Sequence, residues 1–208
     1  MRYVFPLRRG EYVQPVCRYF SNDKNAFLPQ YEYFEGQWEC IQYYLSIKKE
    51  LLYTFSHGKP NAYNQYHIDR IKNEDSVGIH VRRGDYLHSE LFRGICDLDY
   101  YQRGIEMIQK DSGHHSFYIF SNDIKWCQEN LSPLLKGSEV FFITDNSGKK
   151  SCWDLFLMTY CKDLIIANST FSWWGAFLNQ RGGKIIAPMR WFNRDADYDI
   201  WENDWIRI

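Results

Sequence analysis

Residues 76–90 read SVGIHVRRGDYLHSE: Val77, Ile79 and Val81 alternate, then Arg82, Arg83, Gly84, Asp85 and Tyr86 follow without a break. An apolar strand that runs straight into two guanidinium groups and a carboxylate offers a place to hold an anion. A guanidinium is a rigid planar fork of donors that suits phosphate oxygens. Gly84 lets the backbone turn sharply or come close to a ligand. Side chains two apart on a strand share a face, so His80 and Arg82 point one way and Arg83 the other. An Arg–Asp salt bridge on a loop explains the same residues, and both readings stand at this point. Arg83-Gly84-Asp85 also spells an adhesion tripeptide, which is discounted because it follows a buried strand.

Two more stretches place polar residues directly after apolar runs. In ANSTFSWWGAFLNQ (167–180), Asn168, Ser169 and Thr170 are N-cap types at the mouth of a helix. The free amides and positive dipole end of such a helix favour an anion, although an ordinary cap needs no ligand. In FSNDIKW (120–126), Asn122 and Asp123 follow a strand. Asp123 suits ribose hydroxyls or a base edge; Ser121 or Asn122 as a simple helix cap is the plainer alternative. No G-x-G-x-x-G or Walker A loop occurs, which removes support from dinucleotide oxidoreductases and P-loop phosphotransferases.

These residues need elements to position them. From residue 75 onward short apolar runs alternate with helix-length amphipathic ones. Strands are expected at 76–81, 116–120, 139–144, 163–167 and 183–187, and helices at 98–110, 123–131, 151–161 and 170–180. That alternation implies an α/β fold with a mostly parallel, Rossmann-like doubly wound sheet. Ligands of such sheets bind beyond the carboxyl ends of the strands, where all three polar stretches lie. Residues 1–74 are aromatic and irregular, with one helix expected at 39–55 and a turn-rich connector at 56–67. The expected division is therefore 1–74, a partial N-terminal portion with connector, and 75–208, the Rossmann-like domain.

Bulk properties narrow the classes further. The 208 residues hold 25 Lys+Arg against 26 Asp+Glu, a formal net charge of -1, so no global field draws the chain to nucleic acid or an anionic membrane. No apolar run approaches the roughly 20 residues that span a bilayer. MRYVFPLRRG lacks the apolar core of a signal peptide, so the expectation is a cytoplasmic protein, with peripheral attachment at the inner membrane left open. Six cysteines without a C-x-x-C pair, and no H-E-x-x-H helix, argue for reduced, packed thiols rather than zinc or disulfides. Aromatics reach 18%, and their flat faces suit sugars as readily as cores.

Together, IHVRRGDYL, FYIFSNDIKW and DLFLMTYCKDLIIANSTFSWWGAFLN resemble three motifs of the α-1,2-fucosyltransferases, glycosyltransferase family 11; GICDLDYYQRGIEMI (94–108) and APMRWFN (187–193) also fit that pattern. The resemblance runs from about Phe34 to near the C-terminus. It implies a GT-B type fold whose Rossmann-like domain holds GDP-β-L-fucose with no cofactor and no required metal. It also implies inverting transfer to the 2-hydroxyl of a galactose-terminated oligosaccharide or lipid-linked glycan, in O-antigen or polysaccharide synthesis. Carried over by position, His80, Arg82 and Arg83 line the diphosphate site, Asn122 and Asp123 lie near the nucleoside, and Asn168, Ser169, Thr170 and Phe171 close over the phosphates. Arg82 and Asp85 are the catalytic candidates, with Asp85, His88 and Glu90 all open as the base and Asp85 equally able to orient an arginine. The family's glycine-rich opening segment, of the kind GGLGNQMFQYA, is expected to be missing, which keeps an inactive nucleotide-sugar-binding remnant as an alternative. A metal-dependent transferase with a D-x-D motif is a further alternative, through Asp97 and Asp99 or through Asp195, Asp197 and Asp199. Capping of a helix explains Asp97 and Asp99 better.

Overall fold

A computed structural model describes residues 10–55, 58–110, 113–195 and 198–208. The stretch read for a leader, except Gly10, and Asp197 lie outside the described residues. In chain order the elements are β1 (Glu11–Val13), β2 (Tyr33–Glu35), α1 (Lys48–Thr54), α2 (Ala62–Asn73), β3 (Ser76–Val81), α3 (Leu98–Gln109), β4 (Ser116–Ser121), α4 (Ile124–Asn130), β5 (Glu139–Ile143), α5 (Cys152–Tyr160), β6 (Asp163–Ile165), α6 (Thr170–Phe177), β7 (Ile185–Ala187) and β8 (Ile206–Arg207). The chain divides into Met1–Glu50 with Ala196–Glu202, and Leu51–Asp195 with Asn203–Ile208.

The larger unit is built on a six-stranded sheet of order β5-β4-β3-β6-β7-β8, in which every neighbouring pair is parallel. All six residues of β3 are buried, the mark of a central strand covered on both faces. Its odd residues Val77, Ile79 and Val81 join Tyr100, Tyr101, Ile105 and Ile108 of α3 and Cys127 of α4 in one apolar cluster. That face exists because α3 repeats apolar residues at helical spacing behind an Asp97 cap, whose Oδ1 accepts from Tyr100 N at 2.9 Å. Gly78 opens to the other face, where Cys161 and Leu164 lie within contact of the space a Cβ would fill.

The connector expected over 56–67, whose first two residues lie outside the described residues, is corrected in its second half, where α2 begins at Ala62. Asn61 caps it by accepting from Asn64 N at 2.9 Å, and Asn64, His67, Ile68 and Ile71 are buried against the sheet unit. Arg181 ties its end in place: the guanidinium donates to the carbonyls of Ile71, Lys72, Glu74 and Tyr160, orphan acceptors at the ends of α2 and α5. Strand β8 was not expected either; at two residues it is too short to show a period.

A buried amide network joins α2 to α5. Asn64 and Asn146 exchange hydrogen bonds at 2.9 and 2.8 Å, and Asn146 Nδ2 donates to Asp154 Oδ1 at 2.9 Å. Burial raises the Asp154 pKa to about 6, against the Asn146 bond, which lowers it. The folded state then holds a proton that the unfolded chain releases near pH 4, so Asp154 makes stability fall as pH rises from about 4 to about 6. Asp154→Asn keeps an acceptor for Asn146 and removes that slope. At pH 7 the variant should be more stable by about 2–3 kcal/mol, and no more stable at pH 4, in denaturant midpoints.

The smaller unit pairs β1 with β2 in parallel. Its hub is Gln14, 1% exposed, whose Oε1 accepts from the amides of Gln37 and Trp38 at 3.1 Å each and whose Nε2 donates to the Arg18 carbonyl at 3.0 Å. The helix expected over 39–55 is interrupted: short 3-10 turns cover Ile41–Tyr43 and Leu45–Ile47 before α1 begins. Long-range bonds displace it. Ile41 N donates to the Asp199 carbonyl at 2.7 Å, and the Tyr43 hydroxyl accepts from Asp23 N at 2.7 Å. All six cysteines are free thiols; Cys40, Cys127 and Cys161 are buried, while Cys17 and Cys152 are exposed rather than packed.

Candidate functional site

Strand order decides where a ligand goes. The chain proceeds from β3 through β4 to β5 on one side, then returns to place β6 on the other side of β3. The reversal point of an open parallel sheet leaves a crevice beyond the strand ends, and here it falls between β3 and β6. IHVRRGD leaves the sheet from β3 and ANST leaves it from β6. The two strands run level from Val77 with Asp163 to Ile79 with Ile165.

Around β3 the sequence-predicted residues separate by face as expected. His80 is buried, with its ring 5.6 Å from Phe171 of α6. Arg83 goes to the other face, its guanidinium 4.1 Å over the Trp126 ring of α4 and its Nε 3.2 Å from Asp123 Oδ2. Burial, aided by the charge of Arg82, lowers the His80 pKa to about 3, so the imidazole is uncharged at any physiological pH. Its Nδ1 has no hydrogen-bond partner, and neither has the buried Nε of Arg82. Unpartnered buried polar atoms are costly, and two of those among the described residues lie at this one strand end.

Arg82 is held from the loop side. Asp85, on a 3-10 turn over Gly84–His88, accepts from its Nη2 at 3.0 Å, and the guanidinium lies 5.5 Å from the Tyr86 ring. Both members of this pair are substantially exposed. The Arg–Asp bridge and the anion-holding reading are therefore compatible, since Asp85 engages one terminal nitrogen and leaves Nε unmet.

Asn122 and Asp123 make contacts within the protein. Asn122 Oδ1 accepts from Arg83 N at 2.9 Å, and Asp123 both takes Arg83 Nε and caps α4 through Trp126 N at 3.2 Å. They join the β3 and β4 ends into one platform. Gly84, with φ of 44°, fits because a Cβ there would sit 2.6 Å from Asn122 Nδ2.

At the β6 end, Ser169 is the N-cap of α6 by backbone position, but its hydroxyl makes no capping bond. Ser172 Oγ instead donates to the Ala167 and Ser169 carbonyls at 3.2 Å each. Asn168 turns away from the helix mouth and donates from Nδ2 to the Trp191 carbonyl at 3.1 Å. The first amides of α6 are thus left without a side-chain acceptor. Thr170 is exposed beside them, and Phe171 closes on His80.

Several contributors escaped sequence reasoning. Two adjacent tyrosines of α3 pin the strand ends from inside: the Tyr101 hydroxyl donates to the His80 carbonyl at 3.1 Å and that of Tyr100 to the Ile166 carbonyl at 2.6 Å. Their place at the start of a capped helix in DLDYYQRG was the available signal. Trp126 beneath Arg83 and Trp191 behind Asn168 fall inside FYIFSNDIKW and APMRWFN, but nothing local to those stretches showed which residue each would meet. The D-x-D alternative finds its first pair engaged, with Asp97 capping α3 and Asp99 2.9 Å from Arg103 Nε. In the second set, Asp199 belongs to the smaller unit, where its carbonyl accepts from Ile41 N.

Residues 18–208 match the family model described as Glycosyl transferase family 11. The chain is 35% identical over 156 residues to the O-antigen biosynthesis glycosyltransferase WbnK of Escherichia coli, covering 71% of this chain and 50% of that protein. It is 35% identical over 196 residues to an alpha-1,2-colitosyltransferase of Escherichia coli, covering 91% of this chain and 67% of the other. Among solved structures, a NodZ alpha-1,6-fucosyltransferase soaked with GDP-fucose aligns at 18% identity and a TM-score of 0.41, over 58% of this chain and 43% of that one. The chain spans half the length of WbnK and about two thirds of the colitosyltransferase. On a model match that takes in both sides of the β3–β6 crevice, the chain belongs to glycosyl transferase family 11.

Proposed function

We propose that the β3–β6 crevice is the donor site of a fucosyltransferase-type enzyme of GT-B architecture. In this reading L-fucose passes from GDP-β-L-fucose, with inversion, to the 2-hydroxyl of a galactose-terminated acceptor in O-antigen or polysaccharide synthesis. The observation that carries it is the pair of unpartnered buried atoms at the end of β3, Arg82 Nε and His80 Nδ1, with the His80 ring against Phe171 in the first turn of α6, which has no side-chain cap. A diphosphate supplies acceptors to a guanidinium and to helix amides together.

As the anomeric bond breaks, negative charge grows on the β-phosphate of departing GDP. In this reading Arg82 stabilises it, with Asp85 holding the guanidinium rather than acting first as a base. Neutral His80 adds a polar contact without adding charge. Asn122 and Asp123 support the nucleoside side through the Arg83 platform. Incubation with GDP-fucose and lactose should release GDP and yield 2-fucosylated product. GDP-fucose affinity without product would instead support a nucleotide-sugar-binding remnant, and absence of affinity would end the donor-site reading.

A second reading concerns only the sugar. The colitosyltransferase relative covers 91% of this chain, which favours colitose as the transferred residue. Competing the two nucleotide sugars for one acceptor decides between them by the ratio of products.

A further inference from the structure

One asparagine outside the three polar stretches pins the loop that holds Arg82. Asn193 donates from Nδ2 to the carbonyls of Glu90 at 3.0 Å and Arg93 at 2.8 Å, and from its backbone N–H to the Leu91 carbonyl at 2.8 Å. Both donors of the primary amide are thereby committed to this loop. Next to it, Phe192 meets Phe92 at 5.3 Å, and Phe92 stacks on Tyr86 at 4.4 Å with 13° between the planes. Tyr86 and Asp85 then contact Arg82.

The last contacts in this chain are weak when taken alone. An exposed ion pair contributes little to stability, and a cation over an exposed ring about as little. A flexible 84–93 loop would let Asp85 and Tyr86 drift, and Arg82 with them. Three hydrogen bonds from one residue, continued by an aromatic stack, remove that freedom before any ligand arrives.

We propose that Asn193 is a positioning residue for the donor site: it clips the 89–93 loop so that Asp85 and Tyr86 hold Arg82 in its phosphate-binding orientation. This rests on the reading of Arg82 as a phosphate ligand. The test is a double-mutant cycle in GDP affinity, by calorimetry, on the full chain as wild type, Asn193→Ala, Arg82→Ala and the double variant. Asn193→Ala should weaken GDP binding about tenfold when Arg82 is present and less than about twofold when it is absent. A merely structural asparagine would cost the same in both backgrounds, and that additivity overturns the proposal. Wild-type affinity in Asn193→Ala overturns it too, leaving the donor site intact. Should wild type fail to bind GDP, or Arg82→Ala bind it undiminished, the donor-site reading falls and this inference with it. Phe92→Leu, which loosens the same loop through the stack, serves as the second variant if Asn193→Ala does not fold, with the same expected pattern.

Discussion

On the proposed donor-site reading, Arg82→Lys should lower turnover with GDP-fucose about a hundredfold to a thousandfold, the usual cost of losing one well-placed transition-state donor. Lysine preserves the charge, so a purely coulombic role would survive the exchange. It does not preserve the fork. In the folded chain one terminal nitrogen of Arg82 is engaged by Asp85 while Nε stays buried and unmet. Only a planar guanidinium can keep the first contact and offer the second in a fixed relative direction. A lysine ammonium drawn to Asp85 is drawn away from the ligand. The measurement is steady-state GDP release with lactose as acceptor, with GDP affinity determined in parallel. A loss in kcat that exceeds the loss in affinity marks a contact made chiefly in the transition state. Full turnover in the lysine variant would show that Arg82 is not that contact.

Gly183→Ala should destabilise the larger unit by about 3 kcal/mol, the upper end of the usual range for overpacking. A Cβ on Gly183 would be driven into the backbone carbonyl of Lys162 and against Asp163 Oδ1. These are not the free ends of flexible side chains. Lys184 N donates to Asp163 Oδ1 at 2.6 Å, and Leu164 N donates to the Lys184 carbonyl at 2.8 Å, so the added methyl forces apart the start of the β6–β7 ladder. Strand β6 is one wall of the candidate site, and a partly folded variant should lose GDP binding together with thermal stability. A melting temperature within a few degrees of wild type would show that the backbone absorbs the methyl at little cost.

What the amino-acid order determined by itself was local and periodic. Alternation in SVGIHV, the capped apolar spacing of DLDYYQRGIEMI, and the repeated change from strand to helix after residue 75 report which face of each element is buried, and that suffices for a parallel sheet. Parallel strands end on one edge, so three polar stretches after three strands were bound to share it. Register and strand order are different in kind, because they depend on how faces far apart in the chain fit one another. Only the tertiary structure set β6 beside β3, creating the reversal point from which the Arg82 and Asn168 stretches both leave the sheet. It also engaged Asp123 with Arg83 and with the α4 cap, turned Asn168 to Trp191, and divided the helix expected over 39–55 through bonds to Asp23 and Asp199. In each case a partner remote in sequence outweighed a local preference of about 1 kcal/mol or less per residue, the scale on which propensity alone operates.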